Sequence, residues 1–138
     1  ERIYRRGRKD FRSARAEPTT ENLHEWRKRV KDLWYHLTIL RTAWPPVMDA
    51  LADEAHALSE QMGDDHDLAV LLLWAEGHAP ASAVAIAGPV DRRREELQAG
   101  AFELGARLYA DKPGAFMRRL ERWWGAPAGV RRPEHAHG

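Results

Sequence analysis

The chain contains no cysteine. Disulfide frameworks, thiolate metal sites and thiol nucleophiles are therefore excluded for this sequence. Nothing in its composition indicates an oxidising compartment. We expect an intracellular, cytoplasmic protein.

Long hydrophobic runs are also absent. A run such as "LAVLLLWA" at residues 68–75 is far shorter than the roughly 18 residues needed to cross a bilayer. The N-terminus is basic, but no apolar segment follows it as in a secretory signal. We therefore expect no membrane segment. A length of 138 residues is typical of one domain with a single hydrophobic core.

The chain has little net charge, but its charges are segregated. The formal net charge is +1. Residues 1–31 contain eleven Lys/Arg and five Asp/Glu, a sum of +6, whereas residues 48–77 contain no Lys/Arg and eight Asp/Glu, a sum of −8. A basic surface in a nearly neutral protein favours an anionic partner. The alternative is that the basic and acidic helices pair with each other.

Apolar residues recur at helical spacing in every substantial segment, and no segment alternates apolar and polar residues as a strand does. The pattern predicts an all-α antiparallel bundle of four to five helices within residues 1–125. The tail 126–138 lacks an apolar pattern, so we expect it to be mobile, with its two histidines solvated.

Caps, prolines and glycines predict the ends of these helices. The predicted helices are residues 1–16, Thr19 or Thr20 to Pro45-Pro46, Val47 to Gly63, a short helix capped by Asp64 or Asp65, Pro89 to about Ala110, and Pro113 to Gly125. Residues 78–88 are predicted to form a loop.

One face of the second helix is unusually basic. At 100° per residue, the apolar residues needed for a core fall on one side of this helix, and an opposite strip collects His24, Arg27, Lys28, Lys31 and Tyr35. Like charges one turn apart repel each other unless an anion neutralises them. The strip is therefore a candidate anion-binding surface.

The first helix has a similar face, with Tyr4 and Arg8 in line with Phe11 and Arg15, and with Arg5 and Arg12 beside them. Because a short connection favours antiparallel neighbours, we expect the two basic strips to form two walls of one groove. Arginine, lysine, histidine and tyrosine all donate to phosphate oxygens. The groove is predicted to bind phosphates presented in quantity.

Three segments resemble the CHAD domain, the conserved histidine α-helical domain. They are "LHEWRKRVKDLWYHLTIL" (23–40), "MGDDHDLAVL" (62–71) and "LGARLYADKPGAF" (104–116), and "YRRGRKDFRSAR" (4–15) resembles the basic helix that precedes them. The resemblance implies a helical fold of two related four-helix halves around a basic groove. It also implies binding of inorganic polyphosphate and association with polyphosphate granules.

The resemblance also implies which residues bind. The family's His-x-x-Arg-x-x-x-Lys/Arg pattern falls on His24, Arg27 and Lys31. His66, in "GDDHDL", is expected to add a phosphate contact, and Arg107 and Lys112 are weaker candidates, because Arg107 lies at the edge of an apolar face.

A complete domain of the family has two such His/Arg helices, and this chain has one. It therefore resembles the C-terminal half alone. We expect either a partner N-terminal half or a homodimer in which a second copy takes the place of that half.

Three alternative functions remain. A nucleic-acid binder also uses Lys/Arg strips, but no recognition-helix pattern is present and most aromatic residues lie on the apolar face. A phosphohydrolase would use "DDHD" at residues 64–67 to hold a metal, but contiguous residues on a helix do not point at one ion. A structural interaction module would dock through Trp123 and Trp124. We expect binding without catalysis, with no cofactor and no metal.

Overall fold

The computed structural model describes residues 1–126, and these form an all-α bundle with no strand. Its helices are α1 (Arg2–Ala16), α2 (Thr20–Ile39), α3 (Pro45–His78), α4 (Pro80–Leu108) and α5 (Pro113–Trp124), with a 3₁₀ turn at Leu40–Ala43. The predicted fold class is confirmed. Apart from Ala126, the predicted tail lies outside the described residues. None of the described helices is both long and apolar enough to cross a membrane.

The first helix has nearly its predicted bounds and the second begins where predicted, but α2 ends at Ile39 and a 3₁₀ turn replaces the predicted continuation to Pro45. Thr19 caps α2, and its hydroxyl accepts a hydrogen bond from the Asn22 backbone N–H at 3.1 Å. The Asn22 side chain in turn donates to the Glu17 carbonyl at 2.9 Å, which fixes the short connection from α1. Because the connection is short, α1 and α2 are adjacent in the bundle.

The third helix is longer than predicted, since α3 continues unbroken through Gly63 for 34 residues, about 50 Å. Gly63 was wrongly expected to end a helix, and neither Asp64 nor Asp65 is a cap. Gly63 instead lets another side chain lie close against α3, and Asp65 is buried against α4. The sequence predicted a helix end here because glycine is typical of the C-terminal ends of helices and aspartate of their N-terminal caps.

The predicted loop at residues 78–88 is also wrong. Only Ala79 separates α3 from α4, and α4 begins at Pro80 and includes Pro89 in its interior. Alanine-rich sequence favours helix, and Pro80 has the fixed φ suited to a first turn. Pro89 removes one backbone hydrogen bond. Burial of Ala83 and Val90 offsets that loss.

Part of the core lies where α1, α2 and the end of α4 meet. Trp26 is fully buried between Phe11 and Phe102, with ring centroids 5.2 and 5.7 Å away. A Cβ at Gly105 would lie 2.6 Å from the Trp26 ring, so only glycine permits this packing. This core leaves the start of α2, the middle of α3 and the middle of α4 to form a polar pocket.

Candidate functional site

One narrow pocket lies where α2, α3 and α4 meet. We call it the two-histidine pocket, and its lining residues are Thr20, Leu23, His24, Arg27, Met62, Asp65, His66, Ala69 and Arg94. Its enclosed space is about 10 Å³, room for about one water molecule. A larger anion therefore has to bind at the mouth of the pocket.

The two histidines of this pocket come from different helices. His24 is exposed on α2 and His66 is half-buried on α3, with ring centroids 6.0 Å apart and planes tilted by 34°. Neither forms an ion pair with another residue in the range 1–126. The two rings are close enough for one oxyanion to contact both, and an anion placed there would favour the protonated imidazoles.

Arg27 is held across the surface of α3. Its Nε donates to the Ser59 carbonyl oxygen at 3.2 Å, and its side chain lies so close to Gly63 that a Cβ there would be 2.9 Å from Nη2. No described residue forms an ion pair with Arg27. The backbone contact orients the guanidinium and leaves its positive charge uncompensated.

Arg94 is a pocket residue that the sequence interpretation missed. Its Nε donates to Asp65 Oδ1 at 2.9 Å, and Gln98 Nε2 donates to the same oxygen at 3.1 Å. Asp65 is only 5% exposed. A buried carboxylate needs such partners, so the three side chains form one hydrogen-bonded unit between α3 and α4.

The charge of the two-histidine pocket depends on its histidines. Arg27 and Arg94 contribute +2 and Asp65 contributes −1, which sums to +1 with neutral imidazoles and to +3 with both imidazoles protonated. The pocket therefore attracts anions most strongly when His24 and His66 carry protons.

The remaining predicted residues of α2 lie on the same face but outside the pocket lining. Lys28 Nζ donates to Glu25 Oε1 at 2.9 Å, and this hydrogen bond lowers the pKa of Glu25. Lys31 is exposed and forms no ion pair within residues 1–126, and Tyr35 is 61% exposed. Lys31 thus extends the positive surface beyond the pocket, while the charge of Lys28 is partly offset by Glu25.

Tyr4 lies in the core, contrary to the expectation that it faces a groove. It is 3% exposed and stacks on Phe116, with centroids 4.2 Å apart. Its hydroxyl is 3.1 Å from the carbonyl oxygens of both Leu108 and Asp111, to which it donates a shared hydrogen bond. Burial, with a smaller effect of the Asp111 carboxylate, raises the pKa of Tyr4 to about 12. Tyr4 therefore joins α1 to the turn before α5.

The two basic strips do not form two walls of one groove, which corrects the expectation. Arg8, Arg12 and Arg15 line a separate open groove of about 440 Å³, together with Phe11, Ala16, Ala106 and Tyr109. This groove shares no lining residue with the two-histidine pocket. The reason is that α1 packs on the bundle through its buried residues, and its contact with α2 includes the pair of Asp10 with Arg29 at 3.7 Å, not a second basic wall.

The other predicted cations lie elsewhere on the surface. Arg5 pairs with Glu1 at 2.6 Å and Arg107 pairs with Glu103 at 3.2 Å, and all four side chains are largely exposed. Lys112 is exposed at the start of α5. The structure thus brings together His24, Arg27 and His66, but not Arg5, Arg8, Arg107 or Lys112.

The charge segregation is not explained by pairing of the basic and acidic helices. Among the described residues, no ion pair joins residues 1–31 to residues 48–77. Within residues 1–126 there is also no cluster of three or more His, Asp or Glu side chains arranged to hold a metal. In "DDHD", Asp65 is directed to α4 and His66 to α2, because successive residues of a helix point about 100° apart.

Comparison with known proteins identifies the family of this chain. No curated protein and no solved structure shows significant similarity to the chain. The family model of the CHAD domain matches residues 1–76, which include α1, α2 and nearly all of α3. The match contains His24, Arg27 and His66, whereas Arg94 and the segment 104–116 lie beyond it. With more than half of its residues matched, the chain belongs to the CHAD domain family.

Proposed function

We propose that this chain binds inorganic polyphosphate at the mouth of the two-histidine pocket, without catalysing a reaction. The observation that carries the proposal is the convergence of His24, Arg27, His66 and Arg94 from three helices on one cleft. The CHAD domain is linked to polyphosphate-related proteins. Association with polyphosphate granules is part of the same proposal.

The pocket provides donors suited to a chain of phosphates. Arginine offers a planar set of N–H donors that matches two phosphate oxygens, and a protonated imidazole donates to a third. Lys31 lies one turn beyond Arg27 on the exposed face of α2, so a polyanion that contacts Arg27 can continue along that face. A linear ligand would thus contact the pocket with one phosphate and Lys31 with a later one.

A polyphosphate chain fits the pocket better than a nucleic acid does. Proteins that hold single strands stack bases on aromatic side chains, and the described residues that line the pocket include no Phe, Tyr or Trp. Polyphosphate also carries its charges closer together than a sugar–phosphate backbone, which favours a compact group of cations.

The side chains of the pocket favour binding over hydrolysis. The buried Asp65 carboxylate already accepts hydrogen bonds from Arg94 and Gln98 through one oxygen. Asp65 is only 5% exposed and pairs with Arg94, so we assign it the role of holding Arg94 in place rather than of contacting water at the mouth.

The proposal is tested by calorimetric titration with long-chain polyphosphate, DNA and ATP at matched phosphate concentration. We expect tight binding of polyphosphate, weak binding of the other two, and affinity that falls steeply between low and high salt. Arg27→Ala should reduce polyphosphate affinity at least about tenfold, the usual range for a charge-assisted contact. Arg107→Ala, which removes an arginine outside the pocket, is the matched control and should bind like the unaltered chain. Equal binding of all three polyanions, or equal effects of the two substitutions, would contradict the proposal.

A further inference from the structure

The end of the α3–α4 hairpin is almost uncharged. We call residues 68–90 the tip hairpin. Glu76 is its only Asp, Glu, Lys or Arg, whereas such residues make up 31% of the whole chain. Several large apolar side chains of this segment are nevertheless exposed. An apolar surface of this kind marks an interaction site more often than a solvated face.

Four of these exposed side chains lie on one face of α3. Val70, Leu71, Leu73 and Trp74 are 49%, 47%, 68% and 56% exposed. At 100° per residue they span an arc of about 160°. Ala75 lies 40° beyond Leu71, outside this arc, and is buried. The four residues therefore form a continuous apolar face, which we call the tip face.

The tip face continues the seam of α3 that packs on α2. Ser59, Gly63 and His66 contact α2 through Arg27 and His24, and the same spacing of three and four residues leads to Val70 and Leu73. However, α2 begins only at Thr20, which lies beside Ala69 at the pocket. No helix of residues 1–126 covers the next two turns, so the seam is left without its partner.

We propose that a second copy of this chain covers the tip face, so that two α3 helices pack against each other around a two-fold axis near Leu73. A surface that is apolar and nearly free of charge complements itself, as a two-fold interface requires. It lacks the basic residues by which a protein contacts anionic headgroups or acidic partners.

The area of the tip face agrees with a weak dimer. Its four side chains expose on the order of 400 Å², so two copies would bury roughly 800 Å² from these side chains, with backbone and small neighbours in addition. Even with the backbone and small neighbours, such an area is typical of a weak, transient interface. We therefore expect a dissociation constant in the micromolar range.

The dimer would bring two binding pockets close together, a consequence that rests on the proposed function. The dimer itself does not depend on that function. His66 precedes Leu73 by seven residues, about 10 Å along α3. A two-fold axis at Leu73 would place the two His66 side chains about 20 Å apart. One long polyanion could then contact both pockets and gain affinity from the linked sites.

Sedimentation equilibrium from about 1 to 200 μM, without polyphosphate, tests the dimer. We expect a mass that approaches twice the 15.8 kDa of the chain. Leu73→Lys should shift the chain to the monomer over the whole range. Its matched control is Ile39→Lys, because Ile39 is also largely exposed, at 56%, but lies at the other end of α2. This variant should remain dimeric, and unchanged helical circular dichroism would show that both variants fold.

Cross-linking gives a second measurement, because the chain has no cysteine of its own. Leu73→Cys should form a covalent dimer with a short bismaleimide, and Ile39→Cys should not. A monomer at 200 μM, or a Leu73→Lys variant as dimeric as the unaltered chain, would overturn the proposal. A dimer that fails to cross-link at position 73 would place the interface elsewhere and also overturn it. A monomer that floats with neutral phosphatidylcholine vesicles would assign the tip face to lipid instead.

Discussion

Replacing Asp65 by asparagine should weaken the fold and strengthen anion binding at the same time. Among residues 1–126, Asp65 is the only carboxylate that lines the two-histidine pocket, and it offsets the charge of Arg94. Asparagine has nearly the same shape, and its carbonyl oxygen can still accept from Arg94 and Gln98. The substitution therefore removes the negative charge while it keeps the geometry.

The sizes of the loss in stability and of the gain in affinity follow from the contacts of Asp65. Charge-assisted hydrogen bonds become neutral ones, which should lower the free energy of unfolding by about 1–2 kcal/mol. The charge sum of the pocket rises by one unit. The loss of the negative charge favours binding by about 1–3 kcal/mol, if the Asp65 carboxylate lies about 5–6 Å from a bound phosphate and the effective dielectric constant is about 20 or more. We expect an affinity gain of about tenfold.

The assay combines urea unfolding with calorimetric titration of polyphosphate at low salt. The matched control is Asp49→Asn, which makes the same change in net charge but removes the exposed ion pair of Asp49 with Arg41. That variant should differ little in stability and affinity, because exposed pairs contribute little. If Asp65→Asn bound polyphosphate no better than Asp49→Asn, the anion would not lie in the two-histidine pocket and the reasoning would fail.

Three further changes have separable outcomes. Gly63→Ala should displace the Arg27 guanidinium and lower polyphosphate affinity. Because alanine favours helix, the free energy of unfolding in urea should change by less than about 1 kcal/mol. An unchanged affinity would mean that the position of Arg27 is not important for binding. Lys31→Glu should abolish binding in a titration without changing helicity or melting temperature, since Lys31 is exposed, and unfolding of this variant would show a structural role. The folded-state pKa of Tyr4, about 12, lies above its ordinary value of 10, so its contribution to stability is complete below pH 10 and is lost as pH rises toward 12. Urea midpoints measured from pH 9 to 12 should fall in this window and fall less steeply in Tyr4→Phe, and parallel curves would contradict this.

The helical fold and part of the site could be predicted because both depend on local spacing. The apolar stripe of α2 and its basic strip follow from a period of 3.6 residues, which one helix determines by itself. His24, Arg27 and His66, the residues for which the family resemblance implies phosphate contacts, line one pocket. The Thr19 cap also follows from local sequence.

The incorrect predictions concern residues whose role depends on a neighbouring helix. Gly63 and Pro89 are typical of helix ends, but packing across α3 and α4 keeps both helices continuous. Tyr4 shares a face with Arg8, yet contacts with the turn before α5 place it in the core. Propensity and capping rules are weaker than such tertiary contacts.

The sequence around Arg94 indicates that this arginine is partly buried. It lies four residues after Val90 and three before Leu97, both of which are buried, so it occupies a core-facing position of α4. The two residues that precede it are also arginines, and composition alone does not distinguish among the three. A charged residue on the buried face of a helix indicates a buried partner, which here is Asp65.

The central claim is that polyphosphate binds between His24 and His66, and side-chain NMR of the histidines tests it most directly. The chain has seven histidines, and His36, His56 and His78 lie away from the pocket as internal controls. Titration with polyphosphate should shift the imidazole signals of His24 and His66 first and together, and leave the three controls in place. Shifts confined to the controls, or binding by calorimetry without any change at His24 and His66, would contradict the account.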